Sequence, residues 1–307
     1  MNLMTIVLSG GTGFIGKALV KRLLEAGHTV MLLSRRPERS RQSGTESLQI
    51  ISWDGRTLGA WVQGINGADA VINLAGETIA EKRWTAAQKA KILKSRIEAT
   101  RALVSAIAQV KKRPSVLVNA SAVGYYGDVE SGDVTESHPK GKGFLADVCE
   151  QWEQEARKAE ALGVRVVLLR TGIVLEKEGG ALAKMLPPFK LFIGGPLGCG
   201  RQWIPWVHRE DVIGAILFAL ERSRLSGAVN VTAPEPATMK QFCAALGKVI
   251  HRPSWAPVPA FALQVLLGEM SEMLLTGQRA IPQKLETSGY RFRYPNLEET
   301  LRAIFST

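Results

Sequence analysis

The chain has 307 residues, 46% of them hydrophobic, enough for one or two domains with a sizeable core. Its 39 Lys+Arg against 28 Asp+Glu leave a net charge of +11, which favours anionic partners such as a phosphorylated small molecule. The basic residues are dispersed and not interleaved with aromatics, no apolar run is long enough to span a bilayer, and no low-complexity segment appears, so a nucleic-acid binder, a membrane protein and a disordered chain are all set aside.

The predicted elements alternate in period. The N-terminal stretch is apolar but runs straight into a glycine motif, so TIVLS (5–9) reads as a core strand and not a signal peptide. KALVKRLLEAG (17–27) has helical spacing and a glycine stop, and HTVMLLSR (28–35) is strand again. DAVINLAG (69–76) and SVLVNAS (115–121) are two further buried-type strands. A long helix over 85–110 lies between them, with Thr85 and Gln88 at capping-box spacing. Residues 146–163 read as helix and VRVVLLRTGIVL (164–175) as one strand.

After residue 176 glycine and proline loosen the pattern, and Met185, Leu186, Pro187 and Pro188 read as the border of a lid. A helix (210–222), a strand (228–233), a helix opened by Thr238 and Gln241, and a last helical part over 259–305 follow. Strand–helix alternation with near-continuous apolar strands predicts an α/β fold, a parallel sheet covered on both faces, with a small C-terminal α-rich lobe. The expected division is 1–245 for the main α/β domain and 246–307 for the small one, with lobe segments also from about 176–205.

Three scattered cysteines, Cys149, Cys199 and Cys243, show no CxxC or Cys/His spacing. This argues against a disulfide framework and a structural metal, and suits a reducing cytoplasm.

SGGTGFIG (9–16) gives Gly10-x-x-Gly13-x-x-Gly16 between the first strand and the first helix. Gly10 permits a tight turn, Gly13 lets backbone approach a pyrophosphate, and Gly16 lets helix pack on sheet. The helix N-terminus adds free N–H groups and a positive dipole end. Gly10, Thr12, Gly13, Phe14, Ile15 and Gly16 are therefore candidate cofactor contacts. NAD sites carry an acidic residue at the end of the second strand; here stand Ser34, Arg35 and Arg36, in a cluster continued by Arg39 and Arg41. Guanidinium groups bind a 2′-phosphate that a carboxylate would repel, so NADP(H) is expected over NAD(H).

These motifs make the chain resemble the extended short-chain dehydrogenase/reductase superfamily, the sugar-nucleotide epimerases and dehydratases. SGGTGFIG is similar to its glycine loop, NLAG (73–76) to its strand-four motif, ASAVGYYGD (120–128) to its strand-five serine motif, RTGIVL (170–175) to a later segment and WVHREDV (206–212) to its IHVxDV motif. NLAGE, the segment GGALAKMLPPFKLFIGGPLGCGRQW and the tail GQRAIPQKLETSGYRFRYPNLEETL resemble an atypical "epimerase family" subgroup with a C-terminal domain of unknown function. The resemblance implies a Rossmann-type doubly wound parallel sheet with a small C-terminal α-rich lobe. It implies that Leu74, Ala75 and Gly76 run along the cofactor, that Glu77 and Arg96 lie near its pyrophosphate and ribose, and that Arg201, in a glycine-rich loop, meets an anionic or nucleotide-linked small-molecule substrate. It also suggests homodimers built on the helices 85–110 and 146–162.

The superfamily's chemistry uses a serine, a tyrosine acting as general acid/base, and a lysine four residues on that lowers the tyrosine's pKa. Ser121 stands for the serine. With Glu153 aligned to the acidic residue that often follows the pair, Leu145 and Cys149 take the other two places; a register shift of one gives Phe144 and Val148 instead, and neither register restores the tyrosine and lysine. Three readings remain: an oxidoreductase or isomerase with a relocated donor such as Tyr125, Tyr126 or His208; a non-catalytic NADP(H)-dependent regulator; and a protein-interaction module stabilised by cofactor. His138 reads as an exposed loop residue, and Trp203, Trp206 and Phe192 as an apolar wall or core.

Overall fold

The computed structural model describes residues 3–37 and 46–306. In chain order come β1 (Thr5–Ser9), α1 (Phe14–Glu25), β2 (Thr29–Ser34), β3 (Leu48–Ser52), β4 (Ala70–Asn73), α2 (Ala86–Gln109), β5 (Val116–Ala122), β6 (Asp133–Val134), α3 (Phe144–Arg157), β7 (Arg165–Thr171), β8 (Ile173–Glu176) and α4 (Gly180–Lys190). The remainder is β9 (Trp203–Ile204), β10 (Trp206–His208), α5 (Arg209–Glu221), β11 (Gly227–Val231), β12 (Ala237–Thr238), α6 (Met239–Val249), α7 (Ala260–Leu267), α8 (Glu272–Leu275), β13 (Arg279–Ala280), α9 (Gln283–Thr287) and α10 (Leu297–Ser306).

Seven strands form one parallel sheet in the order β3-β2-β1-β4-β5-β7-β11. Successive side chains leave a strand on opposite faces, so each apolar strand feeds two cores. Ile6, Leu8, Leu32 and Ile72 pack with Leu19 and Leu23 of α1 and Ile216 and Ala219 of α5. Val7, Leu33, Val71 and Leu117 pack on the other face with Leu103 and Ile107 of α2 and Ala156 of α3. This is the expected doubly wound sheet, and order reversal between β1 and β4 opens a crevice at their C-terminal ends.

Of the two expected capping boxes, the one at Thr238 forms in full and the one at Thr85 by its first half. Thr238 accepts from the Gln241 N–H while the Gln241 side chain reaches back to the Thr238 backbone, and Thr85 accepts from the Gln88 N–H. Three details depart from the sequence reading. LQIIS forms β3, an edge strand whose half-exposed residues give little apolar signal. The single strand expected over 164–175 is two: at Gly172 the chain leaves the main sheet, and β8 pairs with β10. A Cβ on Gly172 would overlap the Pro205 carbonyl, so the crossing is open to glycine alone. Residues 185–188 lie inside α4 and not in a loose border, with Leu186 buried. Both prolines sit in its last turns, where their carbonyls still accept from Leu191 and Ile193.

The tail is less helical than expected. After α8 it runs as β13 beside β6, and Gln278 donates to the Val123 carbonyl at 2.6 Å. It then returns over α5, where the buried Asp211 carboxylate accepts from the backbone N–H of Arg293 (2.7 Å) and Tyr294 (2.9 Å). Leu301 and Ile304 of α10 close a third core with Phe242 and Leu246 of α6 and Leu182 and Phe189 of α4.

Candidate active site at the C-terminal edge of the sheet

The loop after β1 is built on close approach. Gly10 has φ +75°, and a Cβ there would lie 2.5 Å from the Leu74 carbonyl carbon, in the loop after β4. A Cβ on Gly16 would overlap the Gly10 carbonyl, so α1 can start here only without a side chain at 16. Gly13 is different: its Cβ would meet only the Gly10 oxygen, at 3.3 Å, and its other side is open. Gly13 is also the N-cap of α1, and no side chain caps that terminus, so the first-turn N–H groups are left for another acceptor. Thr12, Gly13, Phe14, Lys17, Lys21, Glu178 and Arg209 line a cleft of about 480 Å³. Arg209 bonds Glu176 at 2.9 Å, but its buried Nε has no partner among the described residues.

A buried polar ladder ties the loops together. Ser9 donates to Asn73 Oδ1 (2.6 Å), and Asn73 Nδ2 donates to Thr100 (2.9 Å) and to Asn119 Oδ1 (2.7 Å). The same Asn73 oxygen accepts from the Ala75 N–H at 3.2 Å, which shapes the Leu74–Gly76 turn, and Trp152 donates to Thr100 at 2.9 Å. None of these was singled out from sequence, because a buried Asn or Thr in a strand or helix has no spacing rule.

At the end of β2, Ser34 is buried and accepts from the Arg36 N–H at 3.1 Å, while Arg35 and Arg36 are exposed. Arg39 and Arg41 lie outside the described residues. Past β4, the Glu77 N–H donates to Ser95, and Arg96 Nη1 donates to the carbonyls of Glu77 (3.0 Å) and Ile92 (3.1 Å). Arg96 is half-buried, and that burial draws its guanidinium below the ordinary arginine pKa.

Past β5, Ser121 is buried and donates to Glu153 Oε1 at 2.7 Å. Glu153 is held in turn by Arg170 in a two-bond fork, both contacts 2.8 Å, with each side chain only 4% exposed. Burial is the largest single influence and opposes the Arg170 charge, but the hydrogen bonds and charge interactions with Glu153 and Tyr126 together outweigh it and raise the pKa. Arg170 also donates to Tyr126 (3.0 Å), whose hydroxyl donates to Asn230 (2.6 Å), and burial pushes the Tyr126 phenol up to about 12. Tyr126 is thus a core residue. Tyr125 is half-buried, with the Arg170 guanidinium 3.5 Å from its ring centre, and its hydroxyl makes no hydrogen bond among the described residues.

Cys149 is buried, and burial pushes its thiol up to about 11. Leu145 packs against Gly124 and belongs to an apolar group with Trp84, Ile92, Met270 and Met273. The other sequence candidates lie elsewhere. His208 caps α5, its Nδ1 accepting from the Glu210 N–H, and burial lowers it to about 4. His138 is half-buried, in correction of the exposed reading, with its ring edge against Tyr126. Arg201 is exposed on a loop whose Gly200 carbonyl accepts from Lys240 at the start of α6. Trp206 is core, Trp203 is half-exposed and Phe192 is exposed, so they do not form one wall.

Among the described residues, no group of His, Cys, Asp and Glu could hold a metal, and no helix is long and apolar enough to cross a membrane.

Comparison with known proteins shows the family and the fold. The NAD dependent epimerase/dehydratase family matches residues 6–232, and a domain of unknown function matches 258–304. The chloroplastic epimerase family protein SDR39U1 homolog of Arabidopsis thaliana is 42% identical over 98% of this chain and 86% of its own. Epimerase family protein YfhF of Bacillus subtilis is 43% identical over 99% of this chain and 98% of its own. The crystal structure of human epimerase family protein SDR39U1 (isoform 2) with NADPH superposes with a TM-score of 0.88 at 34% identity, covering 99% of this chain and 100% of that one. UDP-glucuronic acid 4-epimerase from Bacillus cereus, solved with UDP-glucuronic acid and NAD, shares the fold at a TM-score of 0.79 and 17% identity, over 99% of this chain and 98% of that one.

Proposed function

Since the chain belongs to the NAD dependent epimerase/dehydratase family, we propose that it binds NADP(H) at the β1–β4 crevice and acts as an oxidoreductase or isomerase without the family's usual Tyr-xxx-Lys pair. The observation that carries this reading is the glycine cradle: two glycines closed off by backbone and one, Gly13, left open at an uncapped helix N-terminus. The residues fit the cofactor's chemistry. First-turn N–H groups of Phe14, Ile15 and Gly16, beside Thr12 and the open face of Gly13, hold the pyrophosphate charge. Ser34, Arg35 and Arg36 take the 2′-phosphate, and the exposure of both guanidinium groups leaves them free to pair with it. Leu74, Ala75, Gly76, Glu77 and Arg96 border the rest of the dinucleotide. The NADPH in the human relative's structure supports the same choice of coenzyme.

Bound, the coenzyme supplies or accepts a hydride. Tyr125 is the chain's best-placed proton donor, because its hydroxyl is uncommitted and Arg170 lies over its ring. Ser121 orients no substrate oxygen while it donates to Glu153. Arg201 is assigned to an anionic or nucleotide-linked substrate. The domain division at 245/246, a homodimer through α2 and α3, and a cytoplasmic setting belong to the same proposal. The engagement of Ser121 favours a second reading, a non-catalytic NADP(H)-dependent regulator or interaction module.

Two measurements test this. Calorimetry should show NADPH binding at least about tenfold more tightly than NADH, a difference of about 1.4 kcal/mol; equal affinities remove the role of Arg35 and Arg36. NADPH absorbance followed with sugar nucleotides, aldehydes and quinones should reveal turnover that Tyr125→Phe abolishes. Tight binding without turnover selects the regulator.

A further inference from the structure

The family's lysine has no counterpart on α3, yet its surroundings contain a cation from the neighbouring helix. With Glu153, which pairs with Arg170 and Ser121, aligned to the acidic residue that often follows the family's pair, Cys149 stands one turn earlier at the lysine position. Arg96 reaches this corner from α2. Its Cζ lies 5.0 Å from the ring of Trp152, three residues beyond Cys149, and a Cβ on Gly76 would sit 3.1 Å from it. The guanidinium is therefore held between the turn after β4 and the middle of α3. Its charge is also felt at Cys149, where it opposes the upward push of burial on the thiol.

Two carbonyls fix the group through Nη1, those of Glu77 and Ile92. Nε and Nη2 make no hydrogen bond among the described residues, which leaves three of the five guanidinium N–H groups for a ligand.

We propose that Arg96 is the cation that holds the nicotinamide-side ribose of the bound dinucleotide, in place of a lysine on α3. The inference rests on the NADP(H) reading above. A guanidinium anchored on backbone is fixed in direction and stays charged at every working pH, so it binds and orients ribose hydroxyls but relays no proton. Arg96 is accordingly a positioning residue. It explains how the cleft can lose the lysine without losing its grip on the reactive half of the coenzyme.

The test separates the two halves of the ligand. Wild type, Arg96→Met and Arg96→Lys are titrated by calorimetry with NADPH and with adenosine 2′,5′-bisphosphate, which carries the adenine half and its 2′-phosphate but no nicotinamide ribose. Arg96→Met should weaken NADPH by about tenfold or more and leave the bisphosphate at wild-type affinity. Adding Cys149→Lys to Arg96→Met should recover most of the NADPH affinity, an effect that a purely structural role for Arg96 would not produce. If the two ligands weaken equally, or neither weakens, the assignment is wrong. Thermal melting checks that Arg96→Met folds; if it does not, Arg96→Lys must itself lose NADPH affinity selectively or the assignment falls. Wild type that binds neither ligand defeats the NADP(H) reading, whereas wild type that binds both beside an indifferent Arg96→Met defeats only this one.

Discussion

Ser121 donates its hydroxyl hydrogen to Glu153 at 2.7 Å, and Glu153 is already clasped by Arg170. The Ser121 hydroxyl is thereby drawn into a buried charge pair. Removing one member of such a pair strands the other, so Glu153→Gln should cost about 3–5 kcal/mol of stability, read by urea denaturation. Ser121→Ala should cost about 1.5–3 kcal/mol, the range for one hydrogen bond to a charged group. Equal stability of Glu153→Gln and wild type would mean that the pair is not formed in solution.

Two glycines of the same loop should separate fold from binding. Gly16→Ala forces a Cβ onto the Gly10 carbonyl, and overpacking of this kind costs about 1–3 kcal/mol. Gly13→Ala meets only a 3.3 Å neighbour, so its melting temperature should stay near wild type while NADPH affinity falls by about tenfold or more. Melting curves and calorimetry on the two variants check both halves.

Acid should act through His208. Burial and the charges of Arg209 and Arg293 lower its folded pKa to about 4, whereas an unfolded histidine titrates near 6.5. Between those values the unfolded state binds more protons, so the contribution is complete above about 6.5 and is lost as pH falls through about 4. Its size is on the order of 3 kcal/mol. His208→Asn keeps an acceptor at the α5 N-cap and should flatten this part of the stability–pH curve. An unchanged slope would assign the acid sensitivity elsewhere.

The three cysteines should react very differently. Cys149 and Cys243 are buried, with thiols pushed up to about 11 and about 12. Cys199 is exposed, and the backbone N–H of Arg201 pulls its pKa below the usual thiol value. Brief iodoacetamide treatment of native protein followed by mass spectrometry should find one modified site, Cys199.

The third core gives a direct stability test. Leu301 is fully buried against α6, so Leu301→Ala should cost about 2–5 kcal/mol by chemical denaturation.

The main sheet was legible because its strands are buried on both faces and carry continuous apolar runs, from TIVLS to SVLVNAS. β3 was missed since an edge strand with one solvated side has no such run. The break at Gly172 was hidden inside an unbroken apolar segment, and only the Pro205 carbonyl pressing on it reveals the turn. In the candidate site, spacing and charge point to the glycine loop and to the arginines after β2. The Asn73 ladder and the Glu153–Arg170 clasp were not legible, because their partners are 46 and 17 residues apart and meet only in the folded sheet.

The grip of Asp211 on the backbone of Arg293 and Tyr294 makes the last fifty residues a non-covalent strap as much as a covalent tail. With β13 laid on β6 and α10 docked on α6, the strap is fastened at three separate places. A single peptide cut at the exposed Trp255 would therefore leave two fragments that stay together on a sizing column and part only when the whole molecule melts.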